Sequence, residues 1–237
     1  SITINGSTLV NGNKARQLET YTISDGSSQN GMYGIRWADT GSTFQPGDSG
    51  SVKAMLDLRD GASSDNKGLP YYISQLDDFA RTLAKAFNEG IYKDGVQYYS
   101  GHAGGLALDG STGIQFFSYD GLSSADLMAS GADTDAVYAN ITAANFSLSL
   151  DIQTDVNAIA AASSSGGDGN NENINALISI TKDSRMFNKG TPEDFMNSII
   201  ATLGTSSSYA QRQNENQATL VKYISDSRSS ISGVSTN

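Results

Sequence analysis

The chain has 237 residues with 38% hydrophobic and 17% charged content, enough apolar material for one large or two small folded domains. A net charge of -10 with only 15 Lys and Arg argues against nucleic acid or an anionic membrane as partner, because both are bound mainly through cations. The absence of cysteine excludes disulfides, thiolate metal sites and Cys nucleophiles.

No apolar run reaches the length of a membrane span, and no secretion-signal pattern opens the chain. Ser1 followed directly by a strand pattern reads as an N-terminus cut by processing or by design. In chain order, Ser1 to Val10 reads as a hairpin, with Ile2 and Ile4 alternating into an Asn5-Gly6 pair suited to a type I′ turn. Tyr21 and Ile23 mark a further strand, and Tyr33, Ile35 and Trp37 another, with a polar loop from Asp25 to Gly31 between them. After Pro46-Gly47 the period changes. Ser51 is placed to cap a short helix with Val52, Met55, Leu56 and Arg59 at helical spacing, stopped by Gly61. A second helix follows Leu69, with Pro70 in its first turn, Ile73, Leu76, Ala80, Leu83 and Phe87 on one face, and Gly90 at its end. From Ile91 to Ser165 the period returns to two, over Val96 to Tyr99, Ile114 to Tyr119, and Phe146, Leu148, Leu150 and Ile152. Ser163 to Asn173 reads as an exposed linker into a helix with Ile174, Leu177, Ile178 and Thr181 on one side.

The most informative stretch comes last. Thr191 can cap, Pro192 suits the first helical position, and Asp194 stands three residues after the cap. Met196, Ile199, Leu203, Ser206, Ala210, Gln213, Gln217, Leu220, Ile224, Ser227 and Ile231 then follow at steps of three and four, predicting one helix of roughly 60 Å at about 1.5 Å per residue. Gly204 is the position where a kink or break is expected, and Gly233 the left-handed residue that ends the helix. The expected bundle core is Leu76, Leu83, Phe87, Leu203, Leu220 and Ile224.

Candidate chemistry is sparse. His102, the single histidine, lies in Ser-Gly-His-Ala-Gly-Gly and is expected as a solvent-exposed loop residue; Asp94 and Asp109 are the nearest acids, at undiagnostic spacing. Asp168, Asn170 and Glu172 alternate like an oxygen-rich calcium loop, yet lack its glycine and closing Glu, so the stretch reads as a helix entrance. Asp133 with Asp135, and Asp77 with Asp78, are imaginable carboxylate pairs; neighbours on a helix point apart, so the latter read as a solvated face. The Asn5, Asn140 and Asn145 triplets of the N-x-Ser/Thr type carry no weight in so Ser- and Thr-rich a chain. No Walker loop, dinucleotide fingerprint, nucleophile elbow or zinc spacing is present. No residue is therefore assigned a catalytic, cofactor-binding or metal-ligating role, and no cofactor is expected.

Several stretches resemble the flagellar hook-associated protein 1 (FlgK) family. They are Leu56-Asp57-Leu58-Arg59-Asp60-Gly61, Leu76-Asp77-Asp78-Phe79-Ala80 through Leu83-Ala84 to Ala86-Phe87-Asn88, and Gly110 to Phe117. Further on come Ala144-Asn145-Phe146-Ser147-Leu148, Ile159-Ala160-Ala161-Ala162-Ser163, the Gly-Asp-Gly-Asn run before Asn175-Ala176-Leu177, and Ile231-Ser232-Gly233-Val234-Ser235. Family members carry terminal helices that this chain lacks, so it reads as a trimmed core.

The resemblance implies a non-enzymatic subunit joining hook to filament, needed for assembly and motility, and located in the extracellular flagellum after export through the flagellum's own type III channel without a cleavable signal. It implies as partners the hook protein, the second junction protein, further copies of itself and an export chaperone, with the chain monomeric alone and no nucleic acid or membrane involved. The fold class expected is α+β and elongated: an antiparallel long-helix bundle with a β-rich domain inserted between helices. The domains are 1–48, a β-hairpin segment on the core or completing the β part; 49–91 with 166–237, a discontinuous helical bundle; and 92–165, the β insert. The rival expectation is a secreted adhesin or phage-tail-like binding module with a β domain on a helical stalk, and a glycan-cleaving enzyme using Asp pairs is a third.

Overall fold

A computed structural model describes residues 1–26, 29–129, 134–163 and 169–233. The chain is an α+β mixture in which helices accompany small antiparallel sheets. It divides into two units, Ser1–Ser74 and Gln75–Asn237.

In the first unit, β1 (Ile2–Ile4), β2 (Ser7–Asn11) and β3 (Lys14–Ala15) form an antiparallel meander. Its first corner is the expected turn, with Asn5 at φ 45° and Gly6 at φ 75°, the paired positive values a type I′ turn requires. The two later strand patterns pair with each other, β4 (Leu18–Thr22) against β5 (Tyr33–Trp37), in unbroken register from Leu18 opposite Trp37 to Thr22 opposite Tyr33. Gly34 lies opposite Tyr21, and a Cβ there would stand 2.6 Å from the Tyr21 ring, so the ring needs a residue without a side chain beneath it. Ile23, Trp37 and Phe44 form the buried apolar set, with Trp37 and Phe44 edge to face at 5.5 Å. On its other face Trp37 carries the Arg16 guanidinium, 4.0 Å from the ring centroid, which Asp39 holds through bonds of 2.7 and 2.6 Å. Helix α1 (Ser51–Asp60) begins one residue earlier than its expected cap: Gly50 holds that position, and Ser51 is already helical.

Helix α2 (Leu69–Glu89) carries the boundary between the units within it. Its buried positions are Ala80, Ala84, Ala86 and Asn88, whereas Ile73 and Leu76 of the expected stripe face solvent and Leu83 and Phe87 are half-buried. Small alanines let Tyr138 and Ile141 approach the helix closely, and Phe117, Tyr119 and Phe146 pack around that cluster. Gly90 ends the helix at φ 85°, its N–H bonded to Ala86 O at 2.8 Å; a Cβ would lie 1.8 Å from the Tyr99 carbonyl.

Among its described residues, the segment read as β-rich holds four strands of two or three residues, β6 (Tyr92–Lys93) with β7 (Val96–Gln97) and β8 (Phe117–Tyr119) with β9 (Phe146–Leu148), together with the short helices α3 (Ser124–Met128), α4 (Thr134–Tyr138) and α5 (Leu150–Thr154). Two strand expectations are corrected here. The alternation from Phe146 to Ile152 breaks at Ser149, whose hydroxyl accepts the Ile152 N–H and starts α5. The strand expected from Ile114 narrows to three residues because the Asn88 side chain, rather than a neighbouring strand, takes the Phe116 and Phe117 N–H groups.

After α6 (Glu172–Ile180), helix α7 (Pro192–Ser232) runs 41 residues without interruption at Gly204. Its capping box is complete: Thr191 Oγ1 accepts the Asp194 N–H at 3.2 Å, and Asp194 accepts the Thr191 N–H at 3.0 Å. Gly233 ends it in an extended conformation at φ -79°, not the left-handed one expected, because its N–H reaches Ser229 O without a reversal of the chain. Phe195 and Ile199 are buried, with the Phe195 ring tilted against the stacked pair Phe79 and Phe187. Beyond Ser206, every described side chain except Ser227 is exposed. Of the expected bundle core, Leu76 and Leu203 are exposed, and so are Leu220 and Ile224, which lie past the first four turns of α7 where no other described element covers it. The core lies instead where α2 meets β8, β9 and α4.

Candidate functional site

The histidine expected on the surface is fully buried. Its backbone N–H bonds to Phe87 O at 2.8 Å, which draws the 98–106 loop back onto the end of α2. Ring Nδ1 lies 2.7 Å from the Ile114 carbonyl and must carry the proton that bond requires; Nε2 then accepts the Ala160 N–H at 2.9 Å. Phe116 packs against the imidazole edge to face at 5.2 Å. Burial holds the His102 pKa below its ordinary value, against the weaker opposite pull of the Ile114 carbonyl. With both nitrogens engaged by backbone, the ring has no lone pair for a general base. Asp94 sits at φ 53° with Gly95 at φ 80° in the β6–β7 turn, and Asp109 accepts from Ser111 N–H at 2.8 Å and Oγ at 2.6 Å, so each has a local role apart from the ring. The sequence reading missed this burial because glycines on both sides resemble a loop tip; here they admit the close approach of Asn88 and Glu89 backbone to Gly101.

Asn88 is a second organising residue that periodicity did not reveal. It is fully buried and uses its whole side-chain amide: Nδ2 donates to Phe117 O at 2.8 Å and to Tyr138 Oη at 3.2 Å, and Oδ1 accepts from Phe116 and Phe117 N–H at 2.9 Å each. Tyr138 donates in turn to Gln115 Oε1 at 3.2 Å. Burial, with the Glu89 carboxylate nearby, pushes the Tyr138 pKa far upward, and burial also raises that of Glu89. The only trace in the sequence is an amide one turn after Ala84 on the buried face of α2.

Asp77 and Asp78 do not form a pair. Asp77 Oδ1 accepts the Ala143 N–H at 2.8 Å, whereas Asp78 binds Arg81 at 2.8 Å, so they point apart as expected, although Asp77 anchors a loop rather than facing water alone. Asp135 is paired with Lys85; Asp133 and Asp168 lie outside the described residues, as do Val234 and Ser235. At the entrance to α6, Asn170 Oδ1 accepts the Glu172 N–H at 2.9 Å and Glu172 accepts from Ser163 Oγ at 2.6 Å, ties that suit a helix start. Asn145 belongs to the loop before β9, bonding Thr142 N–H at 2.7 Å and Asn140 O at 3.0 Å. A pair not foreseen is Asp183 with Arg185, whose guanidinium lies 3.6 Å from the Tyr98 ring centroid and holds the Asp183 carboxyl down to about 2. Among the described residues no group of three or more His, Asp and Glu comes together to hold a metal, and no described helix is long and apolar enough to cross a membrane.

What stands out on the surface is α7. The face buried at Phe195 and Ile199 and half-buried at Thr202 continues at helical spacing, interrupted by Gln213 and Gln217, through Tyr209, Leu220, Ile224 and Ile231, all exposed, while Glu215, Lys222 and Asp226 occupy the opposite side. Such an arrangement suits association through an apolar stripe, not chemistry on a small molecule.

Residues 1–117, the segment from β1 through α1 and α2 to the start of β8, match the family model of the flagellar hook-associated protein FlgK helical domain. Comparisons with curated proteins and with solved structures found no match. The Asn88 and His102 anchor points fall within the matched segment, and the match supports a FlgK-family flagellar hook-associated protein, a family of structural components of the flagellum.

Proposed function

We propose that this chain is the core of a hook–filament junction subunit, needed for flagellum assembly and motility, with no catalytic step. The observation that carries the reading is the family match combined with a 41-residue helix whose apolar face is covered only at one end. In this reading residues 49–91 and 166–237 form a discontinuous helical domain whose bundle is completed in the assembly, where axial neighbours cover Leu203, Leu220 and Ile224. Residues 92–165 form the insert on the outside, adjusting lateral contacts, and 1–48 form a hairpin segment. The partners are the hook protein, the second junction protein and further copies of the chain, with an export chaperone before assembly and the extracellular flagellum as destination. The mechanical logic is that a continuous hydrogen-bonded helix transmits torque along its axis when neighbours prevent it from bending.

The test is the double substitution Leu220→Asp, Ile224→Asp in the chromosomal gene of the flagellated host. Both positions are exposed in the free chain, so the variant keeps its fold and reaches the medium. Hooks without attached filaments and loss of swimming are expected; normal filaments and normal swimming would overturn the junction reading.

A further inference from the structure

We propose that an apolar groove beside α6 is a docking site for a basic amphipathic helix of a partner protein. The groove encloses about 380 Å³, with Ile174, Leu177 and Ile178 of α6, Phe87 of α2, and Phe116 and Ile159 around it. It does not depend on the junction reading.

Three observations lead there. The groove is built on fixed backbone: Phe116 is bonded by Asn88, its ring rests on His102 and on Phe87 at 5.1 Å, and Ala160, next to Ile159, is held by His102. A preformed apolar surface loses little freedom when it binds. Second, the stretch of chain that supplies most of its lining is acidic. Between Lys93 and Lys182 the sequence has no Lys or Arg and ten Asp and Glu, and all the lining residues except Phe87 fall in that run. Among the described carboxylates of this run, Asp135 pairs with Lys85, whereas Asp109, Asp126, Asp151 and Glu172 bond to serines, neutral donors that leave their charge in place. Exposed Asp155 and Glu172 precede Ile159 and Ile174 on the groove's own segments, so a ligand rimmed with cations is attracted and one rimmed with anions repelled. Third, Ile174, Leu177 and Ile178 stand at i, i+3 and i+4, a ridge a little over one turn long that matches the side of another helix.

The experiment titrates the full chain with three synthetic peptides: an amphipathic helix with Leu on one face and Lys on the other, a scrambled peptide of the same composition, and the amphipathic peptide with Glu for Lys. The first is expected to bind with a micromolar Kd, to shift the Ile174 and Ile178 methyl resonances, and to weaken as salt rises; the Glu peptide should bind at least about tenfold more weakly. Ile178, 52% exposed, can be changed without loss of the fold, and Ile178→Ser should weaken the Lys peptide by about tenfold. Equal binding of the scrambled or the Glu peptide, no binding of the Lys peptide, or an unchanged affinity in Ile178→Ser would each overturn the proposal.

Discussion

Helices α2 and α7 begin from similar sequence patterns and end in opposite environments. Both have apolar residues at steps of three and four, and both start with Pro in the first turn. In α2 the second half is enclosed, and the residues that matter there are small or polar: Ala80, Ala84 and Asn88. In α7 the large apolar residues Leu203, Leu220 and Ile224 stay in water, and only the first turns are covered. Spacing thus reports that a face exists, whereas burial depends on what other element arrives to meet it.

The sharpest way to break this contrast is at Asn88. Asn88→Ala removes four hydrogen bonds and leaves the Phe116 and Phe117 N–H groups and the Phe117 carbonyl unpaired in the core, an expected loss of about 4 kcal/mol in denaturant unfolding. A loss under about 1 kcal/mol would mean water replaces the amide. Within α7 the two ends should differ: Phe195→Ala should destabilise by about 3 kcal/mol, because the ring is 5% exposed and packed in an aromatic trio, whereas Leu220→Ala should stay within about 0.5 kcal/mol. Equal losses at both ends would show that the distal half of α7 is covered in solution.

Acid tests the buried imidazole. His102 takes up its proton at a lower pH when folded than when unfolded, where the usual value is about 6.5. As pH falls through that window the unfolded chain binds more protons, so the contribution of His102 is fully present above about 6.5 and is lost as pH falls through the folded value. Glu89 works with the opposite sign: its raised pKa adds stability below its unfolded value that disappears as pH rises through the folded one. Unfolding free energy measured across pH in a Glu89→Gln background should slope upward with pH, and adding His102→Gln should flatten the slope. An unchanged slope would place the proton elsewhere. The smallest expected effect is a gain: a Cβ at Gly204 meets nothing within 4 Å, so Gly204→Ala should stabilise by up to about 1 kcal/mol and raise the helical circular dichroism signal.

Much of this was legible locally. The Asn5-Gly6 turn, the pairing-competent strands at Tyr21 and Tyr33, the Gly90 stop and the Thr191–Asp194 capping box each depend on residues within a few positions of one another, and their backbone chemistry decides the outcome before any long-range contact forms. The continuity of α7 belongs with these, since its cap and propensity act along one segment.

What required the folded molecule was every property set by a distant partner. His102 between two glycines has the local signature of a surface loop, and it is buried only because Ile114 and Ala160, distant in the chain, supply a carbonyl and an N–H at the right separation. Asn88 organises the 115–117 segment for the same reason. Local hydrogen bonds and backbone preferences lie in the sequence itself; enclosure is a property of which surfaces meet, and only the tertiary structure brings those surfaces together.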